Sequence, residues 1–213
     1  LETVTRRSAV VDLGSNSVRL VVFESTGRHA VGIFNEKATL RLGKGLQSTG
    51  KLNPEGVNQA LDVMARYHAI ATAMHADPFE VLATAAVRDA SNGPAFTEDL
   101  RRVMPGVPIR ILSGEEEAAY STAGILAGSP DADGTLADIG GGSLELVRLD
   151  QGRNTHATSL PLGALRLADR ASHDLAQVRP IVEQDLAGVP WLATGAGRDL
   201  FLVGGAFRAL ARL

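Results

Sequence analysis

The sequence predicts an α/β chain made of two like halves, each opening on a β-meander that is followed by helices and a further strand. The first observation behind this is a repeated turn. Asp12-Leu13-Gly14-Ser15-Asn16-Ser17-Val18-Arg19-Leu20-Val21 lies without a gap on Asp138-Ile139-Gly140-Gly141-Gly142-Ser143-Leu144-Glu145-Leu146-Val147, with the Asp, first Gly, Ser, Leu and Val coincident. The second is that the order of elements after each copy repeats, with alternating apolar runs giving way to helical spacing. One such turn is weak evidence, because Gly-rich turns between strands are common. Two imply a duplication, with residues 1–128 and 129–213 as the halves and the polar turn Ser129-Pro130-Asp131-Ala132-Asp133-Gly134 as the boundary. In each copy glycine and small residues let backbone N–H groups approach an anion closely. The Asp that ends the preceding strand can face a metal or a water. Two like domains sharing one anion-binding cleft follow.

Composition fits and excludes. The chain has 213 residues with 45% hydrophobic content, enough for one large domain or two of about 100 residues. A net charge of −3 gives no global basic field, so long nucleic acid is not an expected partner and any anion must be met locally. Without Cys there is no disulfide or thiolate chemistry. No run approaches the roughly 20 apolar residues of a membrane helix, and Leu1 to Arg7 has no signal-like apolar run after it. A soluble, cytoplasmic protein is the expectation.

Ser8 to Gly14, Ser17 to Glu24 and Ala30 to Asn35 read as the first meander. Ala38 to Lys51, with Gly43, Gly45 and Gly50 among Arg41, Lys44 and Lys51, reads as a basic loop. A solvated connection is its plainer reading, and reach towards a polyanion is the other. Asn53-Pro54-Glu55 starts a helix that runs to about His75, with Val57, Leu61, Met64, His68 and Ala71 on its apolar face. His68 and His75 read as interface or surface residues. Phe79 to Ala83 is a buried strand; Thr84 to Gly93 is a polar turn after it, before a helix from Ala95 to Met104 that Pro105-Gly106 stops.

Ile109 to Leu112 is the next strand, and Ser113-Gly114-Glu115-Glu116-Glu117 leads into a helical run from Ala118 to Leu126. Ser113 with Glu116 has capping-box spacing. The helix dipole favours all three glutamates, which point about 100° apart, so they cannot share a direction. The second meander runs Thr135 to Gly140, Ser143 to Leu149 and His156 to Leu160. Gly163 to Ala171 and Asp174 to Ala187 read as helices, Asp199 to Val203 as a strand, and Ala206 to Leu213 as a helix entered through Gly204-Gly205.

Four motifs in order carry a resemblance: Val11-Asp12-Leu13-Gly14-Ser15-Asn16-Ser17, Ala83-Thr84-Ala85-Ala86-Val87-Arg88-Asp89-Ala90-Ser91-Asn92, Ile111-Leu112-Ser113-Gly114-Glu115-Glu116-Glu117-Ala118, and Asp138-Ile139-Gly140-Gly141-Gly142-Ser143-Leu144-Glu145-Leu146. The chain resembles the exopolyphosphatase and guanosine pentaphosphate phosphatase family, within the actin, sugar-kinase and heat-shock ATPase superfamily. The resemblance implies two duplicated ribonuclease-H-like (actin-like ATPase) domains with the active cleft between them. It also implies that the second domain is incomplete within these residues, since members continue past the strand-Gly-Gly-helix segment.

The activity implied is hydrolysis of a terminal phosphoanhydride, assisted by Mg²⁺. Glu117 matches the family's catalytic glutamate and would orient or deprotonate water. Arg88 matches its phosphate clamp, with a salt bridge to a nearby acid as the plain alternative. Asp138, Glu145 and Asp12 match the acids near the metal, although strand alternation leaves Glu145 free to face outward. Ser15, Asn16, Ser17, Gly140, Gly141, Gly142 and Ser143 would donate to the phosphates. Polyphosphate is the first substrate implied and guanosine pentaphosphate the second; an ATP-dependent kinase or an inactive nucleotide-binding scaffold is the reading from another class. A homodimer is left open.

Overall fold

A computed structural model of the chain describes residues 5–26 and 29–212. Residues 1–4 of the charged N-terminal stretch and Leu213 of the last expected helix lie outside the described residues. The chain divides into two compact units, Leu1–Ile111 and Leu112–Leu213.

In the first unit, β1 (Arg6–Leu13), β2 (Ser17–Thr26) and β3 (His29–Thr39) form an antiparallel meander. β4 (Phe79–Ala83) and β5 (Ile109–Ile111) continue the sheet in parallel, in the order β3-β2-β1-β4-β5. Alternation decides the buried face: Val11 and Leu13 of β1 and Val18, Leu20 and Val22 of β2 are wholly enclosed. The expected basic loop contains a four-residue helix, α1 (Leu46–Thr49), and is pinned to the core by Leu40, Leu42, Leu46 and Leu52. It is therefore an anchored segment, not a loose connection.

The long helix α2 (Pro54–Ala73) has Pro at its start and Asn53 before it, as expected. Its apolar face is rotated from the expected one. The buried residues are Gly56, Ala60, Met64, Tyr67 and Ala71, while Val57, Leu61 and His68 flank them half-buried. Small residues decide this, because they permit the closest approach. A Cβ on Gly56 would stand 2.6 Å from the Leu40 carbonyl oxygen, so the helix lies against the 40–42 segment only on that side. After β4 the chain makes the one-turn helix α3 (Ala85–Asp89), where a plain turn was expected, and then α4 (Gly93–Val103).

The second unit begins with α5 (Gly114–Gly128), capped by the reciprocal Ser113–Glu116 box that the spacing predicts. The division of the chain thus falls before α5 and not at the polar turn after it. The reason is packing: α5 lies against the second sheet, with Ala118 buried and Ile125 and Leu126 partly buried against Leu136, Val147 and Leu149. That sheet holds β6 (Gly134–Ile139), β7 (Leu144–Asp150), β8 (Arg153–Leu160) and β9 (Asp199–Val203). Its order, β8-β7-β6-β9, repeats that of the first four strands, with an antiparallel meander and a parallel fourth strand. Between β8 and β9 run α6 (Ala164–Arg170), α7 (Leu175–Ala187) and a 3-10 turn at Pro190–Gly195; α8 (Gly205–Leu210) follows β9. Arg170 of α6 donates to both oxygens of Asp185 of α7, at 2.5 and 3.1 Å. This bond raises the guanidinium's pKa and holds the Asp185 carboxyl below its usual range. The fold is mixed α/β with two mixed sheets. Among the described residues no helix is long and apolar enough to cross a membrane.

Candidate functional site

The two turns are closed by the same hydrogen bond. Gly14 N–H donates to Ser17 O at 3.0 Å, and Gly140 N–H donates to Ser143 O at 3.0 Å. Asp12 pairs across the ladder with Arg19, and Asp138 with Glu145 at the equivalent register. The carbonyls of both turns are occupied from behind. Asn16 O accepts from Leu40 N–H and Arg41 N–H, each at 2.9 Å, and Ser15 O from Gly43 N–H at 2.8 Å. In the second turn, Gly140 O accepts from Ala164 N–H at 3.0 Å, and Gly141 O from Leu165 and Arg166 N–H at 2.9 and 3.2 Å. With these carbonyls held, four N–H groups of the two turns are left over. Those of Ser15, Asn16, Gly141 and Gly142 have no acceptor among the described residues. Successive unbonded N–H groups make a concave anion-binding nest.

Gly163 sets how closely α6 approaches the second turn. A Cβ there would meet Ser143 N at 2.3 Å and Gly142 N and C at 2.4 Å, so no side chain fits without moving the turn. Ser15 and Ser143 are buried within their turns, whereas Ser17 is half-buried and Asn16 exposed.

The acids of the second unit gather on the sheet face that α5 covers. Ser121, one helical turn beyond Glu117 and so on the same face of α5, donates to Asp138 Oδ2 at 2.5 Å. Gly114 at the start of α5 lies against Ser159 of β8, whose hydroxyl donates to Glu145 Oε1 at 2.9 Å. Glu145 is 4% exposed, so the outward-facing alternative for it is excluded. Of the three glutamates, Glu116 closes the cap and Glu115 is exposed, which leaves Glu117 half-buried. Gly204 comes up beside Asp138, where a Cβ would stand 2.3 Å from Ile139 O and 3.2 Å from Asp138 Oδ1.

In the first unit, Leu13 pairs with Ala83 in parallel, so the Gly14–Ser17 turn and α3 leave the same end of the sheet. Arg88 is carried there, with its Nε 3.1 Å from Asp89 Oδ1; the salt bridge raised as its plain alternative is present. Asp12 is exposed on β1. Among the described residues no three His, Cys, Asp or Glu side chains gather into a group able to hold a metal by themselves. Sequence reasoning missed Ser121, Ser159 and Gly163. Only Ser121 left a signal, its four-residue spacing from Glu117.

The profile of the Ppx/GppA phosphatase family matches residues 21–189 of the chain. Exopolyphosphatase 2 of Mycobacterium tuberculosis is 33% identical over 177 residues, which cover 78% of this chain and 55% of that protein. Exopolyphosphatase 1 of Mycobacterium bovis is 32% identical over 219 residues, covering 97% and 63%. The chain thus spans less than two thirds of the length of these curated relatives. Among solved structures, an exopolyphosphatase from Cytophaga hutchinsonii superposes with a TM-score of 0.88 at 24% identity, covering 97% of this chain and 69% of that one. A Ppx/GppA family member from Aquifex aeolicus gives 0.74 at 23% identity, covering 95% and 67%. At these identities the two structures show the fold alone.

Proposed function

The chain belongs to the Ppx/GppA phosphatase family, and from that premise we propose that it is an exopolyphosphatase, a hydrolase that releases the terminal phosphate of inorganic polyphosphate. The observation that carries the reading is the pair of turns whose carbonyls are tied back and whose N–H groups at Ser15, Asn16, Gly141 and Gly142 lack protein acceptors. A phosphate chain needs several fixed donors and no base pocket. On this reading the two sheets belong to duplicated ribonuclease-H-like domains of the actin-like ATPase type, each carrying one turn, and the protein is cytoplasmic.

Glu117 orients a water and takes its proton as the water oxygen bonds to the terminal phosphorus; the bridging P–O bond breaks and the shortened chain leaves with the electron pair. Positioning and charge neutralisation supply most of the rate in such transfers. Arg88 binds the oxygens of the transferred group through its planar fork. The turn N–H groups, with Ser15, Ser17 and Ser143, would donate to phosphate oxygens without reorganising.

The residues present suit Mg²⁺. Asp138 and Glu145 are cross-strand neighbours, each steadied by one serine hydroxyl. Mg²⁺ is held by one or two carboxylates plus phosphate oxygens and waters, not by an all-protein cage. Asp138 and Glu145 would hold the ion, with Asp12 near the phosphates, and bound there it would neutralise charge on the phosphate oxygens.

The test is phosphate release from long polyphosphate, with guanosine pentaphosphate in parallel, with and without Mg²⁺. Glu117→Gln is expected to lower turnover by roughly 10² to 10⁴, and Arg88→Ala to lower turnover at least as much as affinity. A near-normal rate in Glu117→Gln removes it as the base. Faster release from guanosine pentaphosphate than from polyphosphate overturns the substrate assignment.

A further inference from the structure

The segment between β3 and α2 is tied at both ends to elements that carry phosphate ligands in the reading above. At its start, Leu40, Arg41 and Gly43 donate backbone N–H groups to the carbonyls of Ser15 and Asn16. At its end, Gly50 O accepts from both the N–H and the hydroxyl of Ser91, at 2.9 and 2.8 Å, and Leu52 N–H donates to Asn92 Oδ1 at 2.9 Å. Ser91 and Asn92 directly follow the Arg88 helix. The segment therefore bridges the first turn and the arginine segment within one unit, and its four buried leucines hold it in place.

Its cations are Arg41, Lys44 and Lys51, all exposed. Among the described residues none of the three side chains has an ion pair or a hydrogen bond. Arg41 and Lys44 are held close together, because Lys44 N–H donates to Arg41 O at 3.0 Å and closes a four-residue turn whose end α-carbons lie within about 7 Å. Arg41 does so at φ 55, a left-handed conformation that a residue with a Cβ adopts at some energetic expense. Two cations that leave the same turn attract a chain of phosphates lying past them.

We propose that Arg41, Lys44 and Lys51, fixed between the Ser15–Ser17 turn and the Arg88 helix, form a distal phosphate track that binds the linear polyphosphate chain beyond its terminal residue and gives the protein its preference for long chains. The inference rests on the exopolyphosphatase reading. It distinguishes a long linear chain from a short one or from a nucleotide, whose phosphates run out before the track ends.

The experiment compares long polyphosphate with tripolyphosphate in the purified protein, in Lys44→Gln/Lys51→Gln, and in the triple variant that adds Arg41→Ala. The two lysines are exposed and their replacement leaves the leucine anchors untouched, so the double variant tests the track even where the triple variant folds poorly. KM for the long chain is expected to rise about tenfold in the double variant and further in the triple. KM for tripolyphosphate is expected to move far less. The slope of log KM against log salt for the long chain should fall by about 1 for each cation removed, since fewer counter-ions are released on binding. Equal losses on both substrates, or none on the long chain, overturn the track. If the wild-type protein releases phosphate from neither, it is the hydrolase reading that fails. The track is then judged by equilibrium binding of the long chain, where a comparable loss of affinity in the double variant sustains it and unchanged affinity overturns it.

Discussion

Gly163→Ala puts the geometry of the second turn to a severe test. The added Cβ would stand 2.3 Å from Ser143 N and 2.4 Å from Gly142 N and C, where uncrowded heavy-atom contacts lie near 3.5 to 4.0 Å. Either the turn or the start of α6 must therefore retreat by about 1 Å. The helix cannot retreat alone, because its first N–H groups are bonded to Gly140 O and Gly141 O at 2.9 to 3.2 Å. Those bonds break, or the turn moves with the helix. Overpacking of this kind costs about 1–3 kcal/mol of stability, and a 1 Å displacement of a binding group lowers rate by roughly 10²-fold. The assay is kcat/KM on polyphosphate, with Tm measured on the same samples. A control is Gly124→Ala in α5, where a Cβ meets nothing within 4 Å. That variant should keep its activity and gain up to about 1 kcal/mol from better helix propensity. A folded Gly163→Ala protein with kcat/KM within about threefold of wild type would refute the assignment of the second turn as a phosphate cradle.

Ser121→Ala removes the hydroxyl bonded to Asp138 and is expected to weaken Mg²⁺ binding and activity by about 10- to 100-fold, with Ser121→Thr restoring part of it; a calorimetric Mg²⁺ titration that Ser121→Ala leaves unchanged would exclude the role. Arg148 is 6% exposed and its Nη1 has no hydrogen-bond partner among the described residues. Arg148→Met should therefore raise stability by about 1–3 kcal/mol in urea unfolding, whereas a fall would show that the guanidinium is paired in solution. Asp185 has its pKa lowered by Arg170, so the pair stabilises the fold above the unfolded carboxylate value of about pH 3.9 and its contribution fades as pH falls through the lower folded value. Asp185→Asn should lower Tm at neutral pH and flatten its decline below about pH 4; an acid limb identical to wild type contradicts the coupling.

Local signals account for much of what was legible in the chain. The strands show period-two alternation, as in Val11 and Leu13 against Val18 and Leu20. Ser113 and Glu116 announce their cap by spacing, and the two turns announce each other by repetition. Each of these depends on residues within a few positions of one another, so a one-dimensional reading suffices. The α2 face keeps Met64 and Ala71 at its centre but is rotated: Val57 and Leu61 pack at its margin, while close approach to the 40–42 segment favours the small residues Gly56 and Ala60. Local pattern carries no information about which neighbour will be nearest.

By itself the sequence determined the duplicated meander, the pair of Gly- and Ser-bearing turns, the capped helix that presents Glu117, and the family. Only the tertiary structure decided which glutamate of three is half-buried, that α5 packs with the second sheet, and that Glu145 faces inward to Ser159. It also decided that the carbonyls of each turn are bonded from a distant segment, 40–43 in one case and 164–166 in the other. The reason is that these are pairings across long stretches of chain. They are set by strand register and by the closest approach that a glycine such as Gly163 allows, and they leave no periodicity to read.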